Sequence, residues 1–364
     1  MKLSDVCTKG TSNIAQKDLD ARNGTYPIYG ASGFIKNVDF YHQEKPYIAI
    51  VKDGAGVGRV MQLPAKSSVI GTMQYIIPNE GVSVEYLAYA LEHMNLSKYY
   101  LGAAIPHIYF KDYCSETLPN HTPEEQAHIS HVLGLVGNLI FLRKQQLAKL
   151  NELVKSRFIE MFGDQRTNPF GWDMVTIGDI ATEVRYGTSR PAVEGGKYPY
   201  LRMNNLTYEG YLDLTDLKYI DIPDNEIEKC VVRKGDVLFN RTNSVELVGK
   251  TCVYNLDYDM IIAGYIIRVR IDDRMLPVVL SNYLNSTVLK EQLRSMAKGA
   301  VNQANINAQE LQSIPIYLPP IDLQHEFAAF VEQIDKSKFY IIQTQKITEL
   351  LIRAIQYKTK EVLL

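Results

Sequence analysis

The sequence predicts an α+β protein: two α/β domains in an inverted, pseudo-two-fold arrangement, separated by two long antiparallel coiled-coil helices. Three observations predict it. A chain of 364 residues exceeds what one hydrophobic core usually supports. The order of short motifs in the first half returns in the second, with a period of roughly 170 to 200 residues. Each half also changes texture from strand-like to helical.

The first half reads "KLSDV", "KGTS", "YPIYGASGFI", "PYIAIVKDGAGVGRVMQL", "SVIGTMQYIIP", "EYLAYALEHMNL", "GAAIPHIYFKDYCSETLP" and "TPEEQAHISHVL". The second reads "TIGDI", "YGTS", "YPYLRMNNLT", "GDVLFNRTNSVELVGKTCVYN", "MIIAGYIIRVR", "VVLSNYLNSTVL", "KGAVNQANINAQELQSIPIYLP" and "PPIDLQHEFAAFV". Runs such as "YIAIV", "DVLFN" and "MIIAGYIIRVRI" are β-branched, aromatic and bounded by Gly, Asn and Pro, which is the signature of strands.

Long helices follow, from about Pro123 to Phe162 and from about Asp322 to the C-terminus. In the first, Leu133, Val136, Ile140, Arg143, Leu147, Leu150, Val154, Arg157 and Met161 step by alternating three and four residues, a coiled-coil seam interrupted by two arginines. In the second, Phe327, Val331, Ile334, Ile341, Leu351 and Ile355 continue less regularly, with Thr344 and Gln345 expected to break the phase. Pro123 and Pro320 stand at or before the first turns, followed by Glu124, Glu125 or Asp322 where the helix dipole favours acids. At 1.5 Å per residue each helix would be roughly 60 Å long. An isolated seam would suggest a homodimer; two seams in one chain favour intramolecular antiparallel pairing. The expected divisions are 1–121, a spacer helix at 122–165, 166–320 and a second spacer helix at 321–364.

With 46% hydrophobic and 22% charged residues, sizeable cores can form. No run of about 18 apolar residues exists to span a bilayer, and "MKLSDVCTKG" lacks a signal-peptide core. The expectation is a cytoplasmic protein with no membrane partner. Cys7, Cys114, Cys230 and Cys252 lack C-x-x-C spacing and read as reduced, structural thiols. A net charge of −2 excludes a chain coated in basic residues, yet a local basic patch can still grip phosphates.

Four stretches imitate catalytic signatures. "DGAGVG" at Asp53–Gly58 has the wrong glycine spacing for a dinucleotide loop, and "RVMQL" continues it as strand where a helix is required. "LVGKT" at Leu247–Thr251 ends like a P-loop but has Ser244 where the first glycine belongs. These two occupy equivalent places in the repeat and read as turns between strands. "NPFGW" at Asn168–Trp172 lacks the second proline of an adenine-methyltransferase motif and has no F-x-G-x-G before it. His128 and His131 have no third ligand placed with them, so no metal site is expected.

Hydrogen-bonding clusters on turns remain. The first half offers Thr11, Ser12, Tyr29, Ser32, Lys52, Arg59, Thr72, Gln74, His107 and Lys111. The second offers Thr188, Ser189, Arg190, Arg202, Asn204, Asn205, Arg241, Thr242, Asn243, Lys298, Asn302, Gln303 and Asn305. Arg reads guanine and Asn or Gln reads adenine in the major groove, while Lys, Ser, Thr and Tyr grip phosphates. Any one of them alone is an ordinary loop residue or turn cap; their recurrence on corresponding turns points to double-stranded DNA. The glycines of "VKDGAGVGRV" are expected to let backbone approach a DNA strand, flanked by Lys52 and Arg59.

The duplicated order, "KGAVNQANINAQELQSIPIYLPPIDLQHEF", its weaker copy "GAAIPHIYFKDYCSETLPNHTPEEQAHI" and "FGDQRTNPFGW" resemble the specificity subunits of type I restriction-modification systems over almost the whole chain. The resemblance implies two target-recognition domains reading the unlike halves of a bipartite site, on a ruler of two helices that dock methylase subunits, two of them, with motor-nuclease subunits joining for restriction. It implies no catalytic residues and no cofactor in this chain, S-adenosylmethionine being bound by the methylase. A rigid ruler would set half-site centres about 10 bp apart if both heads face one side of the duplex. The first half is lean in arginine, with only Arg22 and Arg59 before Arg143. Two alternatives stand beside this reading: the specificity subunit of a related type II system, and a two-headed protein-binding scaffold.

Overall fold

The computed structural model describes residues 1–100, 106–297 and 304–361, with side chains as far as 352. The chain divides into two compact units, Met1–Lys144 with Gln343–Leu364, and Gln145–Ile342. The division falls inside both long helices, which span Pro123–Phe162 and Ile321–Glu361. Each helix thus contributes one part to each unit.

The repeat is visible as topology. The first unit holds a four-stranded antiparallel sheet in the order Cys7–Thr11, Met73–Pro78, Tyr47–Val51, Val60–Leu63. The second unit holds the same sheet in the same order: Ala181–Tyr186, Ile266–Ile271, Val237–Asn240, Thr251–Val253. Beside each lies a second sheet. In the first unit Tyr26–Gly30 pairs antiparallel with Gly33–Val38 and parallel with Ser68–Val69. In the second, Tyr198–Leu201 pairs antiparallel with Lys218–Ile220 and parallel with Met260–Ile262, and Val231–Val232 extends the sheet. The runs "YIAIV" and "VLFN" are buried at every residue, as the central strand of a sheet covered on both faces requires.

Both imitations of phosphate-binding loops are turns between antiparallel strands. Gly54, Gly56 and Gly58 take φ of 83°, 90° and 85°, and Gly249 takes 78°. At Gly58 the close approach is to the protein itself, where a Cβ would stand 2.5 Å from the backbone nitrogen of Ser97, whereas nothing lies within 4 Å of a Cβ on Gly54.

The first helix's seam is shielded at all nine expected positions, Leu133 to Met161. Its two arginines are satisfied there: Arg143 donates to Thr348 Oγ1 at 2.6 Å, and Arg157 lies over the Phe330 ring at 6.0 Å. In the second helix the expected break does not occur. The shielded residues run Gln324, Phe327, Val331, Ile334, Lys338, Ile341, Gln345, Thr348 and Ile352, an unbroken alternation of threes and fours, whereas Leu351 and Thr344 are exposed. Polar side chains hid the register: buried Lys338 Nζ reaches the Tyr211 hydroxyl and Asp335. Ile355 lies beyond the described side chains. The helices meet within each unit: Phe327 packs on Phe158 and Phe162 with ring centroids 5.4 and 5.3 Å apart, and Arg143 meets Thr348.

A glutamine fastens each unit to its helix start. Gln324 is fully buried, accepts from the Leu276 N–H at 2.8 Å and donates to the carbonyls of Arg274 and Pro319. Gln126, its counterpart, accepts from the Ser83 N–H at 3.0 Å and donates to the His121 carbonyl. Both receive the N–H at the start of an equivalent helix, Val84–His93 or Pro277–Leu284, which is how the glutamine of the helix-start motif acts.

Candidate nucleic-acid interface

In the second unit four segment ends converge. Strands Ala181–Tyr186, Tyr198–Leu201 and Val237–Asn240 finish here, and the turn Ala263–Tyr265 closes the group through a parallel bridge from Thr188 to Ala263. Between them opens a cleft of about 520 Å³, lined among others by Ser189, Arg190, Arg202, Asn204, Arg241 and Tyr265. With Thr188, which also lines it, six of the residues singled out from sequence thus share one wall system. Arg190 donates twice to Glu226, at 3.1 and 2.7 Å, and this guanidinium holds the Glu226 carboxyl below the usual carboxylate range. Arg202 reaches Asp216 at 2.9 Å, and Lys218 followed by Arg202 lowers that carboxyl. Arg241 instead lies over the ring of Tyr186 at 4.8 Å. Asn305 pairs with Thr242 across a two-residue ladder and stays exposed, while Asn243 donates to Asn240.

Behind the cleft two buried lysines fix the turns. Lys250 Nζ donates to the Met203 carbonyl at 2.7 Å, and Lys290 Nζ donates to that of Gly249. Burial lowers the pKa of both, that of Lys290 to about 7.

The first unit brings equivalent segments together. Gly71 N–H bonds the Ile14 carbonyl, Ile70 N–H that of Tyr29, Lys52 N–H that of Thr72, and Ile108 N–H that of Lys52. Ser32 is exposed at the hairpin turn beside Phe34, whose ring meets Tyr29 edge-on at 6.0 Å. The basic groups are engaged internally: Arg59 donates to the Ala31 carbonyl at 2.9 Å, Lys52 lies 3.8 Å from Asp53, and His107 Nδ1 contacts the same carboxylate. Lys111 lies over Tyr109 at 5.3 Å, and Thr72 is exposed.

Four predicted DNA contacts are buried and structural. Ser12 is 4% exposed and donates to the Val69 carbonyl; Gln74 accepts from Tyr113. Asn205 accepts from the Arg202 N–H and donates to the Asp213 carbonyl, and Thr242 donates to Asn305. Their polar groups satisfy turns that the sheets bury, and so they shape the mouth. Lys298, Asn302 and Gln303 lie outside the described residues. "NPFGW" is a junction: Asn168, with φ of 41°, exchanges hydrogen bonds with the Trp172 backbone, and Trp172 Nε1 donates to the Phe162 carbonyl. Sequence reasoning missed Tyr186, Glu226 and Asp216, since nothing local announces which ring or carboxylate will meet an arginine from another strand.

Among the described residues no group of three or more His, Cys, Asp or Glu could hold a metal, and no helix is long and apolar enough to cross a membrane. The cysteines are free, and burial pushes the Cys7 thiol up to about 12.

Two copies of one sheet topology, each opening on polar turns and joined to half of each long helix, define a duplicated recognition protein. The family model described as the type I restriction modification DNA specificity domain matches residues 1–152 and again 169–351, and the chain belongs to that family. It is 29% identical over 171 residues to the putative type I restriction enzyme MjaX specificity subunit of Methanocaldococcus jannaschii, covering 46% of this chain and 40% of that protein. It is 25% identical over 198 residues to the EcoKI specificity subunit of Escherichia coli K12, covering 53% and 42%. The matched parts thus span about two-fifths of these relatives. In fold the chain is similar to the type I restriction-modification S subunit from M. genitalium, with TM-score 0.61, 14% identity, and 99% and 95% of the two chains covered.

Proposed function

We propose that this chain is the DNA-reading subunit of a type I restriction-modification complex. Each unit reads one half of an asymmetric bipartite site in double-stranded DNA, and the chemistry belongs to partners. The carrying observation is that two units built on the same four-stranded sheet order carry different side chains on corresponding turns: Arg190, Arg202, Asn204 and Arg241 in one, Ser32, Phe34, Lys52 and His107 in the other. One scaffold with two readouts is what an asymmetric site demands.

Partner docking is supported by apolar side chains on the outer faces of the helices. Leu135, Phe141, Leu142 and Leu350 in the first unit and Ile159 and Phe339 in the second are 56 to 62% exposed. Such faces suit bound subunits better than water. Two methylase subunits seated there would bind S-adenosylmethionine and flip the target adenine, which costs a few kcal/mol drawn from binding. Motor-nuclease subunits would join for restriction. The test is to co-express the chain with its methylase and map methylated adenines genome-wide. An asymmetric bipartite motif with fixed spacing is expected, and the chain alone should transfer no methyl groups; a continuous motif, no motif, or activity of the isolated chain refutes the reading.

A further inference from the structure

The three cleft arginines of the second unit are not equivalent. Arg190 and Arg202 each face a carboxylate, Glu226 and Asp216. Arg241 meets none among the described residues: its Nη1 has a long contact of 3.5 Å to the Gly264 carbonyl, and its Nε is shielded from solvent without an acceptor. Its position is nonetheless fixed. The Arg241 N–H donates to the Tyr265 carbonyl and its own carbonyl accepts from the Ile306 N–H, both at 2.9 Å. The ring beneath its guanidinium belongs to Tyr186, whose hydroxyl accepts from the Ala308 N–H at 2.7 Å. A partly desolvated guanidinium without a counterion is unfavourable until something supplies acceptors.

We propose that Arg241 is the specificity-determining residue of the second unit, and that its guanidinium, held over the Tyr186 ring in the cleft, reads the O6 and N7 edge of a guanine in the major groove. The inference rests on the reading above that this unit binds double-stranded DNA. A guanidinium pairs with phosphate as well as with a base edge, but Arg190 and Arg202 are already engaged by carboxylates, which leaves the N–H groups of Arg241 for an acceptor from outside. The O6 and N7 of guanine offer two acceptors that one guanidinium meets at once, and a base contact differs from a phosphate contact in discriminating at one base pair only.

The test uses the full chain in complex with its co-expressed methylase, selecting from a duplex pool randomised across both half-sites, for wild type, Arg241→Ala, Arg241→Lys and Arg190→Ala. Wild type should enrich guanine at one position of one half-site. Arg241→Ala should flatten that position, a loss of roughly 10- to 100-fold in discrimination, and leave the other half-site unchanged. Arg241→Lys, whose ammonium can still reach guanine, should keep the salt dependence and part of the guanine preference. 7-Deazaguanine at that position should weaken wild-type binding, a readout that needs no variant to fold, and leave Arg241→Ala indifferent. The proposal is overturned if guanine preference survives in Arg241→Ala, if 7-deazaguanine leaves wild-type binding unchanged, if Arg241→Ala weakens all sequences uniformly with a shallower salt slope, which marks a phosphate contact, or if Arg190→Ala removes the guanine preference instead. Failure of wild type to enrich any motif would sink the DNA-reading function itself, and this inference with it.

Discussion

The two units share a sheet order but differ in how they hold charge at the mouth. In the first, the cations are engaged by the fold's own acceptors: Arg59 fastens a hairpin carbonyl, and Lys52 and His107 gather on Asp53. In the second, a deep cleft is rimmed by paired arginines with Arg241 stacked at its wall. The difference teaches that a duplicated scaffold can conserve its turns while freeing the side chains on them, since the backbone hydrogen bonds that close each mouth do not depend on what the turn residues carry.

Stability also divides unevenly. The second unit absorbs its helix halves into an aromatic cluster of Phe158, Phe162, Tyr283, Tyr317 and Phe327, whereas Arg143 in the first bonds to Thr348. Phe327→Ala should therefore give the largest effect, about 3–5 kcal/mol from a cavity in a fully buried site, read by chemical denaturation. Gln324→Ala strands the Leu276 N–H and two carbonyls and should cost about 2–3 kcal/mol, against about 1–2 for Gln126→Ala, which frees fewer groups. Equal losses would erase the distinction between the units.

A smaller effect is pH-dependent and confined to the second unit, because buried lysines occur there and not among the described residues of the first. Lys290, lowered to about 7 from 10.5, is largely neutral in the folded state at pH values where the unfolded chain still binds its proton. Stability should rise with pH between about 7 and 8.5, by at most about 1.4 kcal/mol per pH unit, before thiol titration opposes it. Denaturation at several pH values should show this slope in wild type and its loss in Lys290→Met. The smallest expected change is in binding: Lys52→Ala with Arg59→Ala should weaken recognition of one half-site several-fold, because both cations are already engaged within the fold, and leave the other half-site's base preference unchanged. A selection experiment on the randomised duplex would show it.

The repeat and its turns were legible because strands and tight turns announce themselves locally: "YIAIV" and "VLFN" by composition, Gly54, Gly56, Gly58 and Gly249 by φ. The first helix's seam was legible because seven of its nine positions are apolar. The second was misread at Lys338, Gln345 and Thr348, which are polar yet shielded; Lys338 meets Tyr211 and Thr348 meets Arg143, partners that other segments supply only when the chain has folded. The same reason separates Ser12, Gln74, Asn205 and Thr242, which the sheets bury, from Arg241, which they leave beside an open cleft. By itself the sequence determined a duplicated chain of α/β units on long helices, with polar turns at matching places, since periodicity and turn chemistry are properties of neighbouring residues. Only the tertiary structure decided which polar side chains are buried in the sheets and which stand beside an open cleft, since that depends on the carboxylates, rings and carbonyls that distant strands bring to them.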